Sequence, residues 1–325
     1  MSGYLLRRLL GLVPVLLAAA TLVWLLLFAL PGDPARLIAG SRAVDPEILR
    51  EVRAEWGLDE PAPAQYARYI ARLLRGDLGM SYAQGRPVTA ILGDFAIPTL
   101  TLGLAALALA AVAGIGLGTL AAWFRGRAID VGVLLLALVG ASTPVFWLGL
   151  LLILTFASWL RWLPVTGYGL DGIVLPFVGA RLPEWRHLVL PALTLALVLA
   201  GALARVTRAA LLDVAGAESL VAARARGLSR PGVFVRHALR RALPPVVTVL
   251  GLQLASLFGG AVATEFVFAW PGLGKALVRA IALRDLPLVE GCVLVLTAAY
   301  VLASLLVDLV LPLLDPRVGE GTALQ

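Results

Sequence analysis

Apolar runs long enough to cross a bilayer recur along this chain, and they decide what it can become. A spanning helix needs about 20 mostly apolar residues, because the hydrocarbon core is about 30 Å thick and each residue rises about 1.5 Å. Six stretches approach or exceed that length: Leu9–Leu30, Pro98–Phe124, Val131–Leu160, His187–Ala204, Val246–Phe268 and Gly291–Leu314. The expected fold class is all-α, a polytopic membrane protein with six transmembrane helices. Composition agrees, since 60% of the 325 residues are apolar and 14% charged, against about 45–50% and about 25% in soluble domains. Disorder and most soluble enzymes are thereby excluded. The net charge of +7 could suggest nucleic acid, but with this hydropathy it reads as the charge asymmetry of a membrane protein, so no nucleic acid is expected.

The first run follows Arg7 and Arg8, as a secretory signal would. A signal's apolar region is about 7–15 residues and this one is 22, so an uncleaved first span is expected. The third run is long enough to tilt or to end in an outer turn. In the fourth, Pro191 is placed in the first helical turn, where proline costs no intrahelical bond. Orientation follows from arginines in the short loops. Arg7 and Arg8, Arg125 and Arg127, and Arg205, Arg208, Arg224, Arg226, Arg230, Arg236, Arg240 and Arg241 all fall on one side if there are six spans. That side is cytoplasmic, with both termini inside. The 31–97 loop carries nine acids against eight arginines, and long loops translocate largely regardless of charge. Three regions result: 1–30 with the first span, 31–97 as an outer loop with short helices, and 98–325 as the core, with a cytoplasmic loop at about 205–245.

In the outer loop, Asp45, Pro46 and Glu47 form a helix start: a capping side chain, a preset first residue and an acid on the positive dipole end. Gly57 is the stop. A second pattern sets Tyr66, Ile70, Leu73 and Leu74 on one face before Gly76. Two short amphipathic helices lying on the outer surface are expected; a docking platform for an external partner is the alternative.

Signs of chemistry are sparse. Gly272-Leu273-Gly274-Lys275-Ala276 resembles part of a phosphate loop, but Ala269 and Ala276 stand where that loop needs a glycine and a hydroxyl residue. It reads as a glycine-rich turn. Cys292 is the only cysteine, and His187 and His237 lie far apart, so no internal disulfide, local histidine metal cluster or cofactor is expected. Ser142, Ser158, Ser256 and Ser304 lack a nucleophile's surroundings and read as packing residues. Glu265 and Asp308 sit near span ends, close enough to an interface to be wet, and read as structural. A self-sufficient ion-coupled carrier would place more ionisable groups at mid-depth. Small residues at spacing four, Gly114 and Gly118, then Gly251, Ala255 and Gly259, predict close helix packing, within the chain or to a partner.

The 205–245 loop is the informative segment. Helix continues out of span four through Leu211, Leu212 and Asp213 to Gly216. A short helix follows over Glu218, Ser219, Leu220, Val221, Ala222, Ala223, Arg224, Ala225 and Arg226. Gly227 ends it, and Leu228 is able to fold back on its last turn. Ser229-Arg230-Pro231-Gly232 reads as the cap and start of another helix, running to Pro244-Pro245, where span five begins. One reading is a basic helix on anionic membrane lipid. The small, smooth face of Leu220, Ala223 and Gly227 favours docking in a protein cleft instead, since lipid-surface helices more often carry large aromatics there.

Val221-Ala222-Ala223-x-x-x-Gly227 followed by Leu243-Pro244-Pro245 resembles the signature loop of ABC-importer permeases. Val221 stands where the general pattern has glutamate, and the distance to the prolines is long. Both departures are similar to the peptide and nickel branch of that family. Leu30-Pro31-Gly32-Asp33-Pro34, Arg75-Gly76-Asp77-Leu78-Gly79, Thr143-Pro144-Val145-Phe146-Trp147-Leu148-Gly149, Leu163-Pro164-Val165-Thr166-Gly167-Tyr168-Gly169, Trp270-Pro271-Gly272-Leu273-Gly274 and Leu314-Asp315-Pro316-Arg317 resemble that branch too, in order and over nearly the whole chain. The long outer loop is similar to that of the first of the two permeases in dipeptide and oligopeptide systems.

The resemblance implies a type I ABC importer permease fold in a prokaryotic inner membrane, forming half of a peptide pathway, with nickel or another small solute as the alternative cargo. It implies a second, non-identical permease, two cytoplasmic ATPase subunits holding ATP and Mg, and an extracytoplasmic solute-binding protein. It also implies that Glu218, Leu220, Val221, Ala222, Ala223, Arg224, Arg226, Gly227, Leu228 and Ser229 form the ATPase-coupling loop, and that the chain itself hydrolyses nothing.

Overall fold

The computed structural model describes residues 2–29, 33–39, 45–169, 182–216, 220 and 225–314. It is almost entirely helical, and its elements follow the apolar runs. Helix α1 covers Ser2–Ala29. Outside the main bundle come α2, Pro34–Ala39, α3, Pro46–Trp56, and α4, Ala62–Leu74. A two-residue antiparallel pairing of β1, Met80–Ser81, with β2, Arg86–Pro87, leads into α5, Val88–Trp123. Then come α6, Ala128–Ser142, α7, Val145–Leu152, continued as a π-helical stretch over Ile153–Trp159, and α8, Trp185–Val214. Helix α9, Arg230–Gly232, runs through a π-helical stretch, Val233–Ala238, into α10, Leu239–Val267. Helices α11, Leu273–Ala282, and α12, Leu286–Leu314, complete the described chain.

Among the described residues, three helices are long and apolar enough to cross a membrane alone: α5, α8 and the 286–307 part of α12. Helices α6 and α7 make a fourth only as a pair, because they meet at an angle of 109°. The single third span expected over 131–160 is therefore broken. Pro144 has no N–H to donate and its ring disfavours helical backbone at Thr143, which is extended at φ −87°, ψ 129°.

Proline has the opposite outcome further on. Pro244 and Pro245 do not begin a span but lie inside α10, which continues the helix from Arg230. Membrane helices tolerate prolines where neighbouring groups and local π adjustments compensate. Here a π-helical stretch, Val233–Ala238, precedes them. Pro191 also lies deeper than expected, in the second turn, because α8 starts at Trp185.

The core is built on small residues. A methyl group at Gly114 would stand 2.5 Å from Leu203 Cβ, and one at Gly118 would stand 2.5 Å from the Ala204 carbonyl oxygen. Helices α5 and α8 therefore touch backbone to backbone, where dispersion replaces the hydrophobic drive that lipid removes. Gly251 is likewise closed by Val307 of α12, so these small faces pack within the chain. The surroundings of Ala255 and Gly259 lie outside the described residues. Leu102, Ala106, Ala192, Leu195, Leu257 and Trp270 join α5, α8 and α10 at the outer end.

The outer loop forms its two expected helices. Asp45 accepts a hydrogen bond from the Glu47 amide at 2.9 Å, and Gly57 ends α3 at φ +62°. They do more than lie on a surface. Val52 and Trp56 of α3 pack with Ala35, Ile38 and Ala39 of α2, and Leu286 of α12 packs against them. In α4 the buried positions are Gln65 and Tyr69, while Leu74 is 85% exposed. The inward face thus lies one residue away from the predicted stripe.

Candidate functional site

The arginine-rich 205–245 segment starts from the end of α8. Ala215 and Gly216 form the turn after Val214. Leu220 is 3% exposed and packs with Ala122 of α5, Ala210 and Leu211 of α8, and Val233, Ala238 and Ala242 beyond the loop. One leucine thereby anchors the loop to three helices. Glu218, Ser219, Val221, Ala222, Ala223 and Arg224 lie outside the described residues. Arg226, Gly227, Leu228 and Ser229 are exposed. Leu228 does not fold back, being 47% exposed. Gly227 has φ +86° with nothing within 4 Å of the place a β-carbon would take. Its backbone thus requires glycine, while the space around it is open. Ser229 caps the next helix as expected, accepting from the Gly232 amide at 3.4 Å.

Beside this loop, Asp130 at the start of α6 holds Arg208 of α8 in a two-point ion pair. Nε donates to Oδ1 at 2.6 Å and Nη2 to Oδ2 at 2.8 Å. The Gly126 amide donates to Oδ2 at 2.9 Å. Asp130 is 3% exposed, and it links the Arg125–Arg127 turn to the helix that feeds the loop. Sequence reading assigned it no role, since its partner lies 78 residues away.

At the opposite end of the bundle, Glu265 occupies a dry site rather than a wet one, with 0% exposure. Thr99 Oγ1 donates to its Oε1 at 2.7 Å and the Lys275 amide to its Oε2 at 3.0 Å. The Leu273 amide in turn donates to Thr99 Oγ1 at 2.8 Å. These amides open α11, where the helix dipole favours negative charge. The Gly272–Lys275 turn, expected to be only a glycine-rich turn, is an anion cradle, and its anion is the chain's own carboxylate. A methyl group at Gly272 would stand 2.0 Å from Glu265 Oε1, which is why the turn carries glycine there. Trp270 Nε1 donates to the Pro98 carbonyl at 3.0 Å, and its ring meets Tyr168 edge to face at 4.8 Å. Helices α5, α10 and α11 and the 163–169 segment thus converge on one corner. The side chain of Asp308, the other acid singled out, lies outside the described residues.

A second outer joint holds the loop helices to the bundle. Ser81 Oγ donates to Asp285 Oδ2, and both residues are buried. Burial pushes the Asp285 carboxyl above its usual range, against the lowering effect of hydrogen bonds from Ser81 and the Leu288 amide. The Leu288 bond makes Asp285 the cap of α12. Among the described residues no group of three or more His, Cys, Asp or Glu side chains is arranged to hold a metal ion.

Two family models match the chain. The binding-protein-dependent transport system inner membrane component matches residues 114–320, and the N-terminal membrane component of such systems matches residues 1–103. The chain is 40% identical over 318 residues to the glutathione transport system permease protein GsiC of Salmonella paratyphi A, covering 98% of this chain and 99% of that protein. The proteins of the same name from Salmonella typhimurium and Escherichia coli K12 are 40% and 39% identical, each over 98% of this chain and 99% of their own length.

Proposed function

The chain belongs to the binding-protein-dependent transport system inner membrane components, the permeases of ABC importers, and on that premise we propose that it forms half of an import path for small peptides. The observation that carries the solute class is the identity of 40% to glutathione permeases over 98% of the chain. Glutathione is itself a tripeptide, so the proposed cargo is a short peptide of that size or a di- or oligopeptide.

The arrangement we propose has six spans in a type I permease fold, with both termini cytoplasmic in a prokaryotic inner membrane. Helices α6 and α7 then cross as one broken span. Were they re-entrant, the arginine-rich 205–245 loop would face outward, against the bias that keeps arginine inside. Regions 1–30, 31–97 and 98–325 serve as first span, outer platform and core. A second, non-identical permease completes the path. An extracytoplasmic binding protein delivers solute, and two separate ATPase subunits, holding ATP and Mg, hydrolyse it.

The 218–229 segment is the proposed coupling element, with Glu218, Leu220, Val221, Ala222, Ala223, Arg224, Arg226, Gly227, Leu228 and Ser229 as its residues. The exposure of Arg226 to Ser229 supports this, as does Leu220, whose burial ties the segment to α5 and α8. A partner that moves this segment biases a two-state bundle.

Uptake of labelled glutathione and of a labelled dipeptide, with the gene deleted and restored, tests the solute class. The expected result is loss of at least one peptide uptake on deletion and its return on restoration. Unchanged peptide uptake with lost nickel uptake would overturn it in favour of the alternative cargo.

A further inference from the structure

The outer platform contains a set of polar atoms that the fold buries and leaves without hydrogen-bond partners. Trp24 of α1, Trp56 of α3, and Gln65, Arg68, Tyr69 and Arg72 of α4 line one small, partly open space. Trp56, Gln65 and Tyr69 are 7%, 7% and 4% exposed. Trp56 Nε1, Gln65 Oε1, Tyr69 Oη and Arg72 Nε and Nη1 are buried and lack hydrogen-bond partners. A buried polar group that stays unsatisfied is costly, and four residues with such atoms lining one space call for a ligand.

The neighbours are otherwise held in place. Gln65 Nε2 donates to the Leu58 and Glu60 carbonyls at 3.1 and 2.7 Å, which turns Oε1 away from those groups. The Arg72 guanidinium lies 4.2 Å from the Trp56 ring centre. Its Nη1 is 3.5 Å from Glu55 Oε1, an ion-pair distance without a hydrogen bond. Burial pushes the Tyr69 hydroxyl above its usual range, so it stays a neutral phenol that can accept as well as donate.

Size and donor count choose the ligand. The room open to the centre of a water-sized sphere is about 10 Å³, which is what one water requires. Trp56 and Arg72 offer N–H donors only, Gln65 Oε1 accepts only, and Tyr69 Oη does either. A water accepts twice and donates twice, so it can take one bond from Trp56 Nε1 and one from Arg72, and give one to Gln65 Oε1 and one to Tyr69 Oη. A chloride would satisfy the donors but leave the Gln65 oxygen facing a negative charge.

We propose that a single internal water binds between Trp56, Gln65, Tyr69 and Arg72 and acts as the cross-link that fastens α3 to α4 in the outer platform. The water adds to direct links across this joint, among them Arg68 Nη1 donating to the Ala54 carbonyl at 3.4 Å and the Arg72 guanidinium over the Trp56 ring.

X-ray radiolysis of the full-length chain in nanodiscs tests this, because a bound water generates hydroxyl radicals where it sits and oxidises adjacent side chains even when bulk solvent cannot reach them. Trp56 and Tyr69 should be oxidised several-fold faster than the dry Trp270, as read by peptide mass spectrometry. In Gln65→Leu, which removes the acceptor and fills the space, Tyr69 oxidation should fall towards the rate of Trp270. Trp56 and Tyr69 as silent as Trp270 in the unmodified chain would overturn the proposal, whether the space is dry or holds an ion. Should Gln65→Leu fail to fold, the unmodified chain still decides the question.

Discussion

Gly272 and Gly227 show two different reasons for a glycine. At Gly272 the reason is contact, because any side chain enters the Glu265 carboxylate. Gly272→Ala should therefore destabilise the outer corner by about 1–3 kcal/mol, the range for overfilling a packed site, read as a lower melting temperature in detergent. At Gly227 the reason is conformation. A residue with a β-carbon there costs about 1–2 kcal/mol, more if β-branched, which is small against membrane insertion. Gly227→Val should accumulate near normally yet lose most uptake and retain less ATPase on purification. Intact uptake and retention would sink the coupling role and return the loop to the lipid surface. Asp285 gives a pH signature. Its raised pKa means that the folded chain holds the proton where the unfolded chain has lost it, so stability is greatest below the ordinary value of 3.8 and declines as pH rises through the window above it. Asp285→Asn should flatten that slope in thermal unfolding. The Asp45 cap, the Gly57 stop and the Ser229 cap were legible because each is local. The partners of Glu265 and Asp285 were not, since Thr99 and Ser81 lie 166 and 204 residues away and nothing in a single sequence marks such pairs.

At the level of elements, proline separates what was read correctly from what was not. Thr143-Pro144 and Pro244-Pro245 are similar local signals, yet the first breaks a span at 109° and the second sits inside a helix. Hydrophobic length could not tell them apart, because outcome depends on whether neighbouring groups absorb the missing donor. The Asp130–Arg208 pair is the element-scale contact most open to test. Arg208→Ala leaves a carboxylate without its guanidinium, and breaking such a pair from one side costs more than replacing both partners. The single variant should therefore unfold at a lower temperature than Asp130→Asn combined with Arg208→Ala. The reverse order would mean that the pair is dispensable to the α6–α8 joint. Small-residue spacing, by contrast, forecast close approach at Gly114, Gly118 and Gly251 correctly, leaving open only which helix would meet them.

For the whole molecule, membrane sidedness is the decisive test of the proposed arrangement. With Cys292→Ala as background, a cysteine at Gly85 should react with an impermeant thiol reagent in intact cells, and cysteines at Arg125 or Arg127 should not; the opposite pattern would invert the topology. The helical, membrane-spanning character was readable from the length of the apolar runs, whereas the bend, the attachment of the 31–97 loop helices to α12 and the self-filled anion cradle arise only in three dimensions. Helix α8 carries one more consequence. Its 30 residues make a rod of about 45 Å, longer than the hydrocarbon core by about 15 Å. One end holds Arg208 against Asp130 of α6 and Leu211 against Leu220 of the loop. Its outer end lies beside Glu184, whose amide donates to the Tyr168 carbonyl at 3.1 Å, next to Trp270 and the Glu265 corner. In the proposed arrangement α8 is therefore a connecting rod between the two membrane faces, and a push on the loop is expected to arrive at the far face as displacement.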